Sequence, residues 1–468
     1  MSAAERAGEP AARPAPEPAG DMDGPWSSTV RRDGAGALSV GSVPLAAIAE
    51  EFGTPAYVVD LDDLRARSRA YAAAFEDAFS AENGLAGADV YYAGKALLTV
   101  GIARAVAECG LRVDTSTGGE LAVALRAGVP GAHIGLHGNN KSDAEISAAI
   151  DAGVGRIVVD SLAEIDRVEM LAAERGTSVP VMVRVTTGVH AGGHEFIATA
   201  HEDQKFGLSL ASGAAAEAIR RILARPALEL VGIHSHIGSQ ILDLAGFEAA
   251  ARAVLTLRAD VHREHGTLVP EVDLGGGYGI RYTGTETVPP SPALIASTLA
   301  DVVSRVCTEV GTPVPRISIE PGRSVVGPAG LTLYRVGTIK DVALGEGRSR
   351  RYVSVDGGMS DHIRTALYGA QYTAALANRA APAGAVPARV VGKHCESGDI
   401  VVDHVALPDD VARGDLLAVP ATGAYGRSMS SQYNLVPRPP VVGVEGGGAR
   451  VLVRRETVDD LLGLDLDA

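Results

Sequence analysis

The chain has 468 residues, 46% of them hydrophobic, enough to fill more than one packed core. Its formal charge of −15 argues against nucleic acid and anionic membrane surfaces as partners, and it has no apolar run of the ~18 residues that a membrane-spanning helix needs. Three cysteines, Cys109, Cys307 and Cys395, are too few and odd in number for a disulfide framework, which predicts a reducing, cytoplasmic setting.

Residues 1–25, rich in Ala, Pro, Glu and Gly and without a charged-then-apolar signal pattern, predict a disordered leader. Residues 26–60 follow, ending in the strand pattern PAYVVD (55–60), which is expected to join a β domain formed later in the chain. From residue 89 short β-branched runs alternate with amphipathic stretches. The expected strands are VYYAGK (90–95), LRVDT (111–115), HIGLH (133–137), RIVVD (156–160), VPVMVRV (179–185), LVGIHSH (230–236), EVDLGG (271–276) and RISIE (316–320). The clearest helix covers 293–310, with Leu294, Ile295, Leu299, Val302, Val303, Val306 and Val310 on one apolar stripe. Eight strands, each but the last followed by a helix, predict an α/β protein with a (β/α)8 barrel over 61–322 and its active site at the C-terminal strand ends. Those ends carry Lys95, Asp114, His137, Asp160, Arg184, His236, the triplet Gly275, Gly276 and Gly277, and Glu320. Beyond Arg323 the runs at 331–339, 351–356, 388–394 and 415–420 lack intervening helices and predict an antiparallel β domain over 323–468.

Several residues carry chemistry, each with a plainer reading beside it. Lys95 ends an apolar strand; an ε-amine in a desolvated site titrates low enough to react with an aldehyde cofactor, whereas a strand-end Lys also snorkels to water. The glycine triplet lets backbone approach a phosphate, or is a turn; it fits neither the dinucleotide fingerprint nor a phosphate loop with its Gly-Lys pair. Glu320, followed by Pro321, Gly322 and Arg323, needs a cationic partner if buried: a protonated pyridine nitrogen, or simply an arginine. His234 and His236 share one strand face, a metal-ligand spacing that His137 could complete, but Arg323 after Glu320 is a poor neighbour for a cation. An imidazole stacked on a flat cofactor suits His236 better than a metal does. Cys109 and Cys307 sit in helical stripes and are expected in the core. Cys395, among Lys393, His394 and Glu396, is expected to be reactive.

Ten segments in order, YAGKA (92–96), HGNNKS (137–142), KFG (205–207), HSHIGSQ (234–240), DLGGGYG (273–279), EPGRS (320–324), DGGMSD (356–361), ALYGA (366–370), GKHCESGD (392–399) and GAYGRSMSSQYN (423–434), resemble those of the diaminopimelate decarboxylases. These belong to the alanine-racemase-like, fold type III group of pyridoxal-phosphate enzymes. The resemblance implies that Lys95 holds pyridoxal 5′-phosphate covalently and that His236 stacks on its ring. It implies that Gly275, Gly276, Gly277 and the segment Pro321, Gly322, Arg323 hold the phosphate with Tyr425, and that Glu320 keeps the pyridine nitrogen protonated. Arg323, Arg364, Tyr368, Glu396 and Tyr425 would contact the substrate. Cys395 would be the proton donor, reaching the site with Glu396 from the partner subunit of an obligate head-to-tail homodimer. The implied reaction converts meso-2,6-diaminopimelate to L-lysine and CO2. One position departs from the family pattern: Thr365 stands where Pro usually follows the substrate arginine. A sister decarboxylase of related amino acids, an alanine-type racemase, a metal-dependent hydrolase and a non-catalytic relative are the competing readings; Glu320 argues against the racemase, and Lys95 with Cys395 against the non-catalytic relative.

Overall fold

Short β-branched runs flanked by capping residues build the first unit. The computed structural model describes residues 22–189, 205–345, 347–381 and 384–467. Eight parallel strands, Ala88–Ala93, Arg112–Thr115, Ile134–Leu136, Arg156–Val159, Val179–Thr186, Leu228–Ser235, Glu271–Asp273 and Arg316–Ile319, pair in chain order. The last closes on the first, with Ile319 opposite Val90, so the sheet is a barrel. All eight runs expected from the sequence are strands, because each is buried on both faces and reads as a continuous apolar segment. Helix starts follow local chemistry. Thr117, Ser142, Ser161 and Ser291 each accept a hydrogen bond from a first-turn backbone N–H, and Ser142 with Glu145 forms a capping box. In Pro292–Val310 the expected stripe is buried through Ile295, Leu299, Val302, Val303 and Val306, but Leu294 faces solvent at 53% exposure. It lies about 100° around the helix from Ile295, off the core-facing side.

The eighth helical place is filled from the other end of the chain. Helix Leu61–Ala78, capped by the Asp60 carboxylate, packs against both Pro292–Val310 and Val100–Ala107, closing the outer ring. Immediately before it, Ala56–Asp60 enters the second unit, between Gly330–Gly345 and Val441–Glu445. That unit continues through Arg348–Val355, Ala385–Val391 and Ile400–Pro408 on one side, with Leu416–Pro420 beside Gly330–Gly345 and Gly448–Val453 at the far edge. The sheet is mostly antiparallel, as expected. Two neighbours run parallel, Ala56–Asp60 with Val441–Glu445 and Arg348–Val355 with Ala385–Val391. A barrel with a β domain threaded by the N-terminal strand is thus the fold the sequence predicts. The expected leader lies, up to residue 21, outside the described residues.

Candidate active site

The C-terminal strand ends open on a cavity of about 250 Å³ lined by Lys95, Asp114, His137, Arg184, His236 and Glu320, with Asn139, Ser116 and Phe206 among the other walls. Lys95 sits in a single turn of 3₁₀ helix directly after Ala88–Ala93. It is exposed to this cavity rather than buried, in line with the second of the two readings open to a Lys at the end of an apolar strand; the strand is buried, and the turn lifts the side chain clear of it. Gly94 allows the turn, since a Cβ there would lie 2.7 Å from the carbonyl oxygen of Asp114.

Opposite Lys95, the carboxylate of Glu320 is buried. Burial alone would raise its pKa, but His234, His137 and Arg156 outweigh that and hold it well below the usual range. His234 Nε2 lies 3.0 Å and His137 Nε2 3.3 Å from Glu320 Oε1, yet neither is aligned as a hydrogen bond, which leaves Oε1 a buried acceptor without a donor among the described residues. Beneath them Asp114 has its pKa pushed well up by burial and by Glu320. Burial holds His137 neutral, its pKa lowered to about 3. His137, His234 and Glu320 bring ligand atoms within 4.8 Å of one another, whereas His236, half of the metal-ligand spacing, stands apart. The buried Arg156, 3.6 Å from Asp114 and paired with Asp273, places a fixed positive charge beneath that trio.

His236 is fixed by the glycine triplet: its Nδ1 accepts the N–H of Gly276 at 3.2 Å. Burial, then Lys95 and Arg184, keeps its pKa well below the ordinary value, consistent with a neutral acceptor. The triplet itself packs where no side chain fits. A Cβ on Gly276 would stand 2.1 Å from the carbonyl oxygen of Glu320, whose N–H in turn donates to Gly275. Two of the three N–H groups are already engaged, Gly275 with Asp273 and Gly276 with His236, so the triplet chiefly locks Glu320 and His236 together.

A second cluster adjoins the first. Tyr425 donates its backbone N–H to Ala96 at 2.8 Å, beside Lys95, and holds φ at 60°, a left-handed conformation that a bulky residue adopts only under constraint. Its ring lies 4.7 Å from the guanidinium of Arg323 and 5.9 Å from that of Arg364. Both arginines are buried, and among the described residues neither has a carboxylate within ion-pair distance. Pro321 and Gly322 carry the chain from Glu320 to Arg323, packed on Ala93, where a Cβ on Gly322 would fall 2.9 Å from the Ala93 Cβ. Tyr368 lies 5.9 Å from Arg364 on the short helix Arg364–Tyr368. Thr365, in the place of the usual Pro, donates its hydroxyl to the carbonyl of Val401 at 2.8 Å, so a side-chain tether anchors the turn.

The remaining two expected residues lie elsewhere. Cys395 and Glu396 are exposed and do not line the cavity of their own chain. Their loop is nonetheless built to a fixed shape. Asp399 accepts the N–H groups of Met359 and His394, the buried His394 ring meets Ser360 at 2.8 Å, and Asn434 accepts the Cys395 N–H at 3.0 Å. Cys109 and Cys307 are buried, as their helical stripes predict.

Arg184 and Tyr282 were not assigned roles from the sequence. Arg184 was legible as a strand end; it lies 3.8 Å from Asp160 and over the ring of Phe206. Tyr282 lies in an irregular loop with no periodicity to mark it, and receives hydrogen bonds from both Arg323 and Arg364. Lys141 of HGNNKS is structural, buried on Glu164 at 2.8 Å.

Residues 64–327 match the family described as pyridoxal-dependent decarboxylase, pyridoxal binding domain. A diaminopimelate decarboxylase of Mycobacterium tuberculosis is 54% identical over 445 residues, covering 94% of this chain and 97% of that protein. The crystal structure of a diaminopimelate decarboxylase from M. jannaschii superposes with a TM-score of 0.87 at 31% identity, covering 94% of this chain and 98% of that one. A structure from the same organism in complex with L-lysine gives 0.85 with the same coverage. With half the chain matched by the cofactor-binding family and nearly all of it aligned to these relatives, the chain belongs to the diaminopimelate decarboxylases, within the pyridoxal-dependent decarboxylase family.

Proposed function

We propose that this protein decarboxylates meso-2,6-diaminopimelate to L-lysine and CO2 with pyridoxal 5′-phosphate, as a homodimer in the cytoplasm. The observation that carries the reading is the pairing of two unlike clusters around Lys95: a low-pKa Glu320 whose Oε1 has no donor among the described residues, and two buried arginines with no carboxylate partner among those residues. Pyridoxal phosphate fits these residues and supplies, when bound, an electron sink for the pair left behind as CO2 departs.

This chain's own groups do the rest. Lys95 offers its amine to the cofactor's aldehyde from a turn held in place by the Tyr425 N–H and the Ser428 hydroxyl on the Ala96 carbonyl. Glu320, its carboxyl held well below the usual range, holds a proton on the pyridine nitrogen. The half-buried His236, locked to Gly276, offers a fixed flat face. Gly277 and the segment 321–323, with Tyr425, support the phosphate end. The substrate differs from lysine or ornithine in carrying a carboxylate and an ammonium at the end remote from the reaction, and recognising it requires opposite charges together. Arg323 and Arg364, between the rings of Tyr368 and Tyr425, read the carboxylate, and Glu396 the ammonium. Cys395 delivers the proton to the carbon that lost CO2. Since Cys395 and Glu396 lie exposed on a rigid loop, they serve the cavity of a second copy. No described helix is long and apolar enough to cross a membrane, and all three cysteines are unpaired.

The test is a substrate panel. The cofactor-loaded enzyme is expected to release L-lysine and CO2 in equal amounts from meso-diaminopimelate and to prefer it to L-lysine, L-ornithine and L-arginine as substrate. Preference for a substrate with a single distal charge would overturn the substrate assignment.

A further inference from the structure

Tyr282 joins the two buried arginines and does not line the cavity around Lys95. It comes from the loop after the seventh barrel strand, 5% exposed. Its phenol oxygen accepts hydrogen bonds from Nη1 of Arg323, just past the last barrel strand, and from Nη1 of Arg364, in the β domain, the latter at 2.5 Å. The loop is pinned in turn: Glu286 accepts the backbone N–H groups of Tyr282 and Thr283. Arg323 is steadied on its other arm by Ser239 at 2.7 Å, and Arg364 by Tyr372 at 3.0 Å.

Two like charges buried this close repel, and each has lost hydration. Among the described residues no carboxylate offsets them, and Nε of Arg323 is buried with no hydrogen-bond partner. The one shared acceptor is a neutral or weakly acidic phenol. Burial pushes the pKa of Tyr282 up, but Arg323 and Arg364 more than compensate and bring it below the ordinary value. A carboxylate in this position would have cancelled the charge; a phenol holds the guanidiniums together and leaves most of their charge for a ligand.

We propose that Tyr282 is a specificity-positioning residue, which clamps Arg323 and Arg364 at a common distance across the domain junction and so creates the affinity for the substrate's distal carboxylate. This rests on the reading of Arg364 as the group that binds that carboxylate. Product and product analogue separate the effects. L-lysine retains the amino and carboxyl groups of the spared end, whereas cadaverine is the same diamine without the carboxylate.

The experiment compares the affinities of L-lysine and cadaverine for cofactor-loaded wild type, Tyr282→Phe and Arg364→Ala. Tyr282→Phe removes one oxygen and keeps the ring. The expected result is a fall of roughly tenfold or more in the lysine-to-cadaverine affinity ratio, the worth of a hydrogen bond to a charged group. Cadaverine binding stays close to wild type, which general damage to the site would not allow. Tyr282→Glu guards against loss of folding, because it gives both arginines an anionic partner; it competes with the ligand's carboxylate, and the ratio falls again. An unchanged ratio in the Tyr282 variants beside a collapsed ratio in Arg364→Ala would overturn the clamp and leave the reading of Arg364 intact. An unchanged ratio in all of them would overturn both.

Discussion

Lys95, His236 and Glu320 line one cavity, and their environments differ in the way the proposed cofactor role requires. The amine is exposed, the imidazole is kept neutral, and the carboxylate is kept charged inside a buried cluster. Borohydride treatment of the yellow, loaded protein is therefore expected to fix the cofactor on Lys95, as mapped by peptide mass spectrometry; an adduct on Lys141 or another lysine would contradict the assignment. Cys395 makes a different kind of claim, since nothing in its own chain's cavity touches it. Cys395→Ala is expected to retain the fold and the absorbance of the bound cofactor while turnover falls by ~100- to 10,000-fold, the usual worth of a positioned general acid. Full turnover in that variant would remove Cys395 from the reaction. Cys109→Ala and Cys307→Ala, both at buried packing positions, should change stability and leave the active site intact.

At the scale of the elements, most of the barrel was legible because parallel strands buried on both faces read as uninterrupted apolar runs, and because their ends switch abruptly to Lys, His, Asp or Glu. Helix starts are set by the capping hydroxyls of Thr117, Ser142, Ser161 and Ser291, which the apolar periodicity does not single out. That strand 55–60 joins the β domain was expected; what the sequence hid was the detail of such distant pairing. The parallel run of Ala56–Asp60 beside Val441–Glu445, and the use of Leu61–Ala78 as the barrel's eighth helix, bring together segments from opposite ends of the chain. Tyr282 escaped notice for the same reason, and the choice between a desolvated and a solvent-reaching Lys95 stayed open because a strand's burial does not extend to the turn that follows it. The segment 356–361 and the short helix after it carry a consequence for stability. His362 is buried against the ring of Tyr372, 4.4 Å between centroids, and burial, then Arg364, lowers its pKa to about 3. Its folded-state pKa thus lies below the ~6.5 of the unfolded chain, so the unfolded chain takes up the proton first as pH falls. Stability is full above about pH 6.5 and declines toward pH 3, by up to ~1.4 kcal/mol per pH unit for each such histidine, with His137 adding a second. Melting temperatures between pH 7.5 and pH 5 should show a shallower slope in His362→Asn than in wild type, whatever the absolute change. An identical slope would mean that His362 is protonated in the folded protein.

For the whole molecule, the decisive feature is that the two proposed halves of the reaction site do not meet within one chain. The barrel presents Lys95 in an open cavity, and the β domain presents Cys395 on a loop stiffened by Asp399 and His394, facing outward. If the halves belong together, they must do so across a two-fold dimer, with each subunit completing the site of the other. Mixing two inactive proteins under conditions of demonstrated subunit exchange tests this most directly. In a heterodimer of Lys95→Ala and Cys395→Ala subunits, one site carries both lesions and the other carries neither. Random exchange makes half the molecules heterodimers, so activity is expected to recover to ~25% of wild type from symmetry alone. Complete lack of recovery, with heterodimers confirmed by mass, would show that each chain builds its site by itself and would contradict the account.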